Sequence, residues 1–216
     1  MSLFIAGCAG LGACLGALGW RYLFEEARCT GPAKAAEAAL CIGLSAAAPF
    51  WAAGPVGLAG PLGGQGAALH VLATLWIWTA LALALCDARV RRLPDPLTAA
   101  LAVLALGSVW LDPARGLGSA LLAAALGVGA FGALHAAYLA RTGRVGIGLG
   151  DIKLIAGIAA MVGPWHLPMV TLVAALAAGL ISLALAYMRG QKSLSQLELP
   201  FGLYLCGAAI WVWGIS

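Results

Sequence analysis

The sequence predicts an all-α, polytopic membrane protein with about eight transmembrane helices. Of its 216 residues, 63% are hydrophobic and only 9% are charged, whereas soluble domains are about 45–50% apolar and about 25% charged. Because so few charges cannot cover a water-soluble fold, most helices are expected to face lipid. The long Ala, Leu and Gly runs show no alternating pattern, which favours helices over a β-barrel.

Charged residues and clusters of Gly and Pro divide the chain into eight candidate spans. The first is interpreted as a helix rather than a signal peptide, because no basic segment precedes it and further spans follow it. Pro49 and Pro55 interrupt the second span, and the sixth is short for a bilayer that needs about 20 residues. The spans are approximately 2–24, 36–59, 67–87, 96–111, 117–140, 151–163, 168–188 and 200–215.

The basic residues predict how these spans are oriented and grouped. All 12 Lys and Arg residues except Arg115 flank odd-numbered loops, which by the positive-inside rule places those loops in the cytoplasm and both termini outside. This orientation also accounts for the net charge of +4, so nucleic acid is not an expected partner. We divide the chain into an N-terminal helical hairpin with a short cytoplasmic loop, residues 1–66, and a six-helix core, residues 67–216.

The sequence does not indicate a metal site or a disulfide framework. Five of the six cysteines lie inside apolar runs, where a thiol behaves as a small hydrophobic group. There is no CxxC pair, and the lone loop residue Cys29 cannot assemble a four-ligand zinc site. No two of His70, His135 and His166 have metal-ligand spacing, so they are interpreted as packed or interfacial residues.

Most acidic residues have a simple structural explanation. Asp95 precedes Pro96 at the start of an apolar run, which predicts a helix N-cap followed by proline at the first helical position. Five others lie in or beside short loops, where solvated surface charges are expected. These are Glu25, Glu26, Glu37, Asp112 and Glu198. Asp87 and Asp151 remain as the candidate functional acids.

Asp87 and Asp151 are predicted to lie at one membrane depth. Asp87 ends an apolar run at the cytoplasmic boundary, where it is either a functional acid or a helix-end charge that pairs with the following arginines. Asp151 begins the sixth span after three glycines, which would allow another helix or an extended substrate to approach closely. The structural alternative for Asp151 is an N-cap after a glycine-rich turn.

Two carboxyl groups in one partly dry site would share a proton, because both cannot ionise cheaply. The ionised group can take a proton from a water molecule that attacks a peptide carbonyl. The protonated group can polarise that carbonyl and help to protonate the leaving amine. The sequence leaves open which aspartate takes which role.

Three stretches resemble motifs of the type IV prepilin peptidases, a family of GxGD membrane aspartyl proteases. The first runs from Asp87 to Thr98 and contains Leu-Pro-Asp-Pro-Leu-Thr, and the second is Gly148–Leu154. The third, residues 199–202, resembles the Pro-Phe-Gly element that opens a late helix, although Leu203 replaces the proline that often follows. The resemblance extends over residues 69–215.

The resemblance implies an aspartic endopeptidase that removes the short basic leader from type IV prepilins or pseudopilins, usually just after a glycine and before the hydrophobic pilin helix. It places the site at the cytoplasmic face of the bacterial inner membrane, in type IV pilus or type II secretion systems. The implied partners are a prepilin and the lipid bilayer, and proteolysis needs no cofactor or metal. Asp87 and Asp151 match the catalytic pair. The residues expected to bind substrate or shape the site are Gly148, Gly150, Lys153, Pro200, Phe201 and Gly202.

The first 68 residues depart from the bifunctional members of this family. Those members carry a larger cytoplasmic loop with paired CxxC cysteines and also methylate the new N terminus with S-adenosylmethionine. Because Cys29 stands alone here, methyltransferase activity is doubtful, and S-adenosylmethionine is expected only if that activity is retained. From another class, a small transporter that binds a proton or cation at Asp87 and Asp151 is the alternative.

Overall fold

A computed structural model describes the chain over residues 64–112, 114–143, 145–188 and 200–215. Within these ranges the secondary structure is helical and no strand is present, which confirms the all-α part of the predicted fold class. The six helices are α1 (Gly64–Val90), α2 (Asp95–Leu111), α3 (Leu117–Thr142), α4 (Leu149–Val162), α5 (Leu167–Met188) and α6 (Phe201–Ile215). The first two predicted spans, 2–24 and 36–59, lie outside the described residues, so the N-terminal hairpin stays a prediction.

Three of the helices are long and apolar enough to cross a membrane. They are Ala68–Val90 within α1, together with α3 and α5. The apolar helices α2 and α6 are shorter, and α4 has 14 residues, fewer than the roughly 20 that a perpendicular span requires. The total of eight spans therefore stays a prediction.

Helix α4 lies at the centre of the described fold. It packs against α2, α3 and α6, while α1 packs on α2 and α6, and α5 packs on α6. Helix α4 is buried almost continuously from Leu154 to Val162, as expected for a helix that is apolar on all sides. A Cβ atom at Gly157 would lie 3.0 Å from the backbone nitrogen of Ala102, so this glycine permits close contact between α4 and α2.

The connection between α1 and α2 bends sharply beside the predicted site. Arg91 adopts a left-handed conformation with φ 54°, and its backbone N–H donates to the carbonyl of Asp87 at 3.0 Å, which ends α1. The predicted N-cap role of Asp95 is wrong, because extended Pro94 occupies the cap position and Asp95 is the first helical residue. The Asp95 carboxylate instead reaches α4.

Arg115 joins the opposite end of α4 to the loop between α2 and α3. Its guanidinium donates to the carbonyl oxygen of Met161 at 2.9 Å and pairs with the Asp112 carboxylate at 3.4 Å. A carbonyl in the last turn of a helix has no partner within that helix, so Arg115 satisfies it from outside. Asp112, predicted as a solvated charge, is thus half of this partly exposed ion pair.

Candidate active site

Asp87 lies in the last turn of α1 and points at the start of α6. The residue is only 5% exposed, and its Oδ2 atom accepts a hydrogen bond from the backbone N–H of Leu203 at 3.1 Å. The first N–H groups of a helix lack partners within the helix and carry its positive dipole end. Helix α6 thus supplies a backbone donor and a favourable field to this carboxyl group.

Asp151 lies in the first turn of α4 and faces the same place with fewer contacts. Gly148 occupies the N-cap position of α4 without a side-chain cap, so Asp151 is not the helix cap that its sequence context allowed. Its Oδ1 atom is buried and has no hydrogen-bond partner among the described residues. The two aspartates therefore have different surroundings.

Gly202 is where the two carboxyl groups meet. A Cβ atom at this position would lie 2.9 Å from Oδ2 of Asp87 and 3.3 Å from Oδ1 of Asp151. The separation of these two oxygens cannot exceed the two distances combined, so the acids from α1 and α4 are close neighbours. Only glycine leaves this space without displacing a carboxyl group.

Two further glycines allow close packing in and just before the start of α4. A Cβ atom at Gly150 would lie 3.1 Å from Cδ1 of Leu93, which belongs to the connection after α1. At Gly146 it would lie 2.6 Å from Cδ1 of Tyr138 on α3. The loop before α4 is also held by Nδ1 of His135, 2.8 Å from the carbonyl oxygen of Ile147.

Tyr138 and His135 are positioning residues that sequence reasoning did not identify. The sequence indicates only a packed or interfacial histidine at position 135 and carries no signal for Tyr138. Their spacing of three residues places them on one face of α3, but nothing in the sequence indicates that the loop leading to Asp151 lies against that face.

Lys153 forms an ion pair with Asp95 that the sequence does not indicate. Its ammonium group contacts Oδ1 of Asp95 at 2.7 Å, and the two side chains are 55% and 72% exposed. This ion pair connects the start of α2 to the first turn of α4. Because exposed pairs contribute only about 0.2–1 kcal/mol to stability, we expect a modest positioning effect.

The two carboxyl groups open onto a polar cavity of about 400 Å³. Its size is within the range of pockets that bind small ligands or short peptide segments. Seven of the eight residues predicted for the site line it, and the eighth, Gly202, separates the two acids. The lining residues are Asp87, Arg91, Arg92, Leu93, Asp95, Gly148, Gly150, Asp151, Lys153, Pro200 and Phe201.

No cluster of metal-binding side chains lies beside this cavity among the described residues. Across residues 64–112, 114–143, 145–188 and 200–215, no group of three or more His, Cys, Asp or Glu side chains is arranged to hold a metal ion. Cys86 and Cys206 are both buried. The fold and the site define the class: a helical protein with membrane-length helices and a close pair of carboxyl groups, of which Asp87 is buried and Asp151 half-buried.

Comparison with known proteins gives the family. The model of the type IV leader peptidase family matches residues 74–183, just over half of the chain. This chain therefore belongs to the type IV leader peptidase family, which confirms the resemblance seen in its motifs. No solved structure matches the chain.

Several curated relatives are similar to this chain. The prepilin leader peptidase/N-methyltransferase of Aeromonas hydrophila is 33% identical over 147 residues, which cover 67% of this chain and 50% of the relative. That of Dichelobacter nodosus is 31% identical over 133 residues, covering 62% and 44%. The leader peptidase HopD of Escherichia coli is 34% identical over 147 residues, covering 66% and 84%. The chain spans about half the length of the two bifunctional relatives.

Proposed function

We propose that this chain is a membrane-embedded aspartic endopeptidase that cleaves the leader peptide from type IV prepilins or pseudopilins. The observation that carries the proposal is the meeting of Asp87 and Asp151 at Gly202 beside a polar cavity. Membership of a leader peptidase family supplies the substrate class. The transporter alternative receives no support from that family.

In the proposed reaction the two acids share one proton. Asp87 accepts a backbone N–H at the positive end of α6, which favours its ionised form, so we assign it the role of base. Asp151, whose Oδ1 has no partner in the described part of the chain, holds the shared proton. This assignment follows from the different surroundings of the two groups.

Over one catalytic cycle the proton transfers return both aspartates to their starting protonation states. Asp87 takes a proton from a water molecule as the water oxygen attacks the scissile carbonyl carbon, and Asp151 gives its proton to the carbonyl oxygen. When the tetrahedral intermediate collapses, the C–N bond breaks and the leaving nitrogen takes the proton from Asp87. Asp151 regains a proton from the intermediate's hydroxyl group.

We propose that the site faces the cytoplasm at the inner membrane of a bacterium. Helix α1 ends and α4 begins at the same end of the described helices, beside the two aspartates. Arg89, Arg91, Arg92 and Lys153 lie at this end, and the positive-inside rule assigns such an end to the cytoplasm. The cleavage position after a glycine is the one that the family resemblance implies.

Methylation of the new N terminus is not part of the proposal. The bifunctional relatives carry that activity in their names, but their additional length is not matched here. S-adenosylmethionine would be needed only for this second reaction. None of the described residues is assigned to binding it.

The test is leader removal from a co-reconstituted prepilin by Asp87→Asn and Asp151→Asn variants in proteoliposomes. Each change is expected to lower the cleavage rate by at least roughly 10²–10⁴-fold, because it removes a general acid or base. The matched control is Asp95→Asn, which removes a carboxylate from the same cavity wall without touching the pair. Cleavage at an unchanged rate in either variant of the pair would refute the proposed mechanism.

A further inference from the structure

An apolar groove of about 1020 Å³ begins beside Asp151 and lies between α3 and α5. Helices α3 and α5 both pack onto other helices of the described fold rather than extensively onto each other. The groove is lined almost entirely by apolar side chains. The residues that define its two walls are Leu126, Ala130 and Leu134 on α3 and Pro168, Leu172 and Ala175 on α5.

The shape of the groove suits one short stretch of apolar helix. On α3 the wall residues recur every four positions and extend over about 12 Å, or roughly two helical turns. Leu126, Leu134 and Leu172 are 52%, 57% and 59% exposed, so large apolar side chains are available for contact. A stripe of this kind is how a groove binds an amphipathic or apolar helix.

The groove is narrow at the end away from the acids. At Gly127 on α3, a Cβ atom would lie 3.5 Å from Cδ2 of Leu167 on α5. The same point lies 3.3 Å from side-chain atoms of Ile155 and Ala159, which are about one and two turns along α4 from Asp151. The groove therefore has a narrow inner end and a second end at Asp151.

Asp151 and Phe201 line both the groove and the polar cavity, so the two spaces adjoin at these two residues. At this junction the ring of Phe201 packs against Phe131 on α3, with centroids 6.3 Å apart and planes inclined by 38°. A peptide that crosses the carboxyl pair and continues past Phe201 enters an apolar channel. The polar cavity and the apolar groove thus suit a substrate that changes from polar to apolar at the scissile bond.

We propose that the α3/α5 groove binds the first two helical turns of the substrate's hydrophobic segment, directly after the scissile bond. This inference rests on the proposed function and on the hydrophobic helix that the family resemblance places directly after the leader. The two shared residues identify the occupant, because a segment bound in the groove reaches Asp151 at one end only. Binding the hydrophobic helix here holds the scissile peptide in the cavity.

The first test fills the groove with bulk and compares two substrates. Leu126→Trp and Leu172→Trp are expected to raise the KM for full-length prepilin roughly tenfold, because an indole occupies space that the substrate helix needs. The matched controls are Leu121→Trp and Leu180→Trp, which change residues of the same helices that are 51% and 67% exposed and do not line the groove. They are expected to leave KM within about twofold of the wild-type value.

The second substrate separates groove binding from general damage. A leader peptide that ends a few residues after the cleavage site lacks the hydrophobic helix, so groove variants and wild type should have the same kcat/KM for it. Equal loss on both substrates, or no loss on full-length prepilin, overturns the groove inference. If the wild-type protein cleaves neither substrate, the proposed function itself fails.

A cross-linking measurement identifies the occupant directly. A photoreactive phenylalanine at position 126 or 172, in an Asp151→Asn background that retains substrate, should cross-link to the prepilin's hydrophobic segment. The same probe at position 121 or 180 should not. Cross-links from positions 126 and 172 to residues 1–63 of this chain in the presence of prepilin, or equal yields at all four positions, would overturn the inference.

Discussion

Replacing Gly202 with alanine is the most informative single perturbation of the carboxyl pair. The added methyl group would lie 2.9 Å from Oδ2 and 3.1 Å from Cγ of Asp87, and 3.3 Å from Oδ1 of Asp151. Contacts this short between a Cβ atom and a carboxyl group require at least one partner to move. Because Gly202 is in the first turn of α6, the backbone is fixed by the helix and the Asp87 side chain must yield.

The expected loss follows from the size of that movement. A displacement of a few tenths of an ångström stretches the 3.1 Å hydrogen bond from Leu203 to Asp87 and widens the carboxyl pair. Since a misplacement of about 1 Å costs roughly 10²-fold in rate, Gly202→Ala should lower kcat about tenfold or more. Alanine is the better helix former by up to about 1 kcal/mol, so the folded fraction should not fall in parallel.

The assay is kcat for leader removal from a reconstituted prepilin, with the melting temperature of the variant measured beside it. Gly207→Ala is the matched control on the same helix, because no heavy atom of the described residues lies within 4 Å of its added Cβ. The control should keep wild-type kcat. A Gly202→Ala enzyme with kcat within twofold of wild type would refute the geometric reasoning.

Two other perturbations test the surrounding structure. Gly157→Ala should lower the free energy of unfolding, measured in detergent, by about 1–3 kcal/mol, because its Cβ would lie 3.0 Å from the backbone of Ala102. The control Gly179→Ala, whose Cβ would have no described atom within 4 Å, should leave the free energy of unfolding unchanged. Equal effects of the two changes would contradict the packing of α4 on α2. A double-mutant cycle with Asp95→Asn and Lys153→Gln should give a coupling of about 0.2–1 kcal/mol, and zero coupling would mean that the exposed 2.7 Å contact contributes nothing.

The helices of residues 64–215 could be predicted from the sequence because lipid imposes a simple length and polarity rule. Each of the last six predicted spans corresponds to one helix, with ends that differ by at most three residues. The short sixth span was also recognised, and α4 has 14 residues. The N-cap prediction for Asp95 was wrong, since extended Pro94 fits the cap position and the Asp95 carboxylate binds Lys153 on another helix.

The candidate site could be predicted only as a set of residues. The sequence singles out Asp87 and Asp151 by their positions in apolar runs and by the family motifs. A carboxylate at the membrane boundary is energetically costly, so its presence there indicates a function. The contact that arranges them joins Asp87 to Leu203, which is 116 positions away in the chain. Sequence patterns report periodicity along one helix and not which helix ends meet, so the placement of Gly202 between the acids required the structure.

The apolar groove, too, could not be predicted from the sequence. Leu126 and Leu172 have the pattern of ordinary lipid-facing residues, and their exposure is similar to that of Leu121 on α3. Only the packing of α3 and α5 around α4 distinguishes residues that line the groove from residues that do not. Binding surfaces between membrane helices are therefore not visible in hydropathy alone.

The proposed mechanism depends on Asp87 and Asp151 lying side by side in the folded protein. The chain contains four aspartates, so ¹³Cγ-aspartate labelling of an Asp95→Asn, Asp112→Asn variant leaves only this pair for solid-state NMR in lipid. We expect a direct Cγ to Cγ dipolar coupling that disappears in the further variant Asp87→Asn. If that coupling is absent, both without prepilin and with prepilin bound, the two acids do not form a pair and the proposed mechanism is wrong.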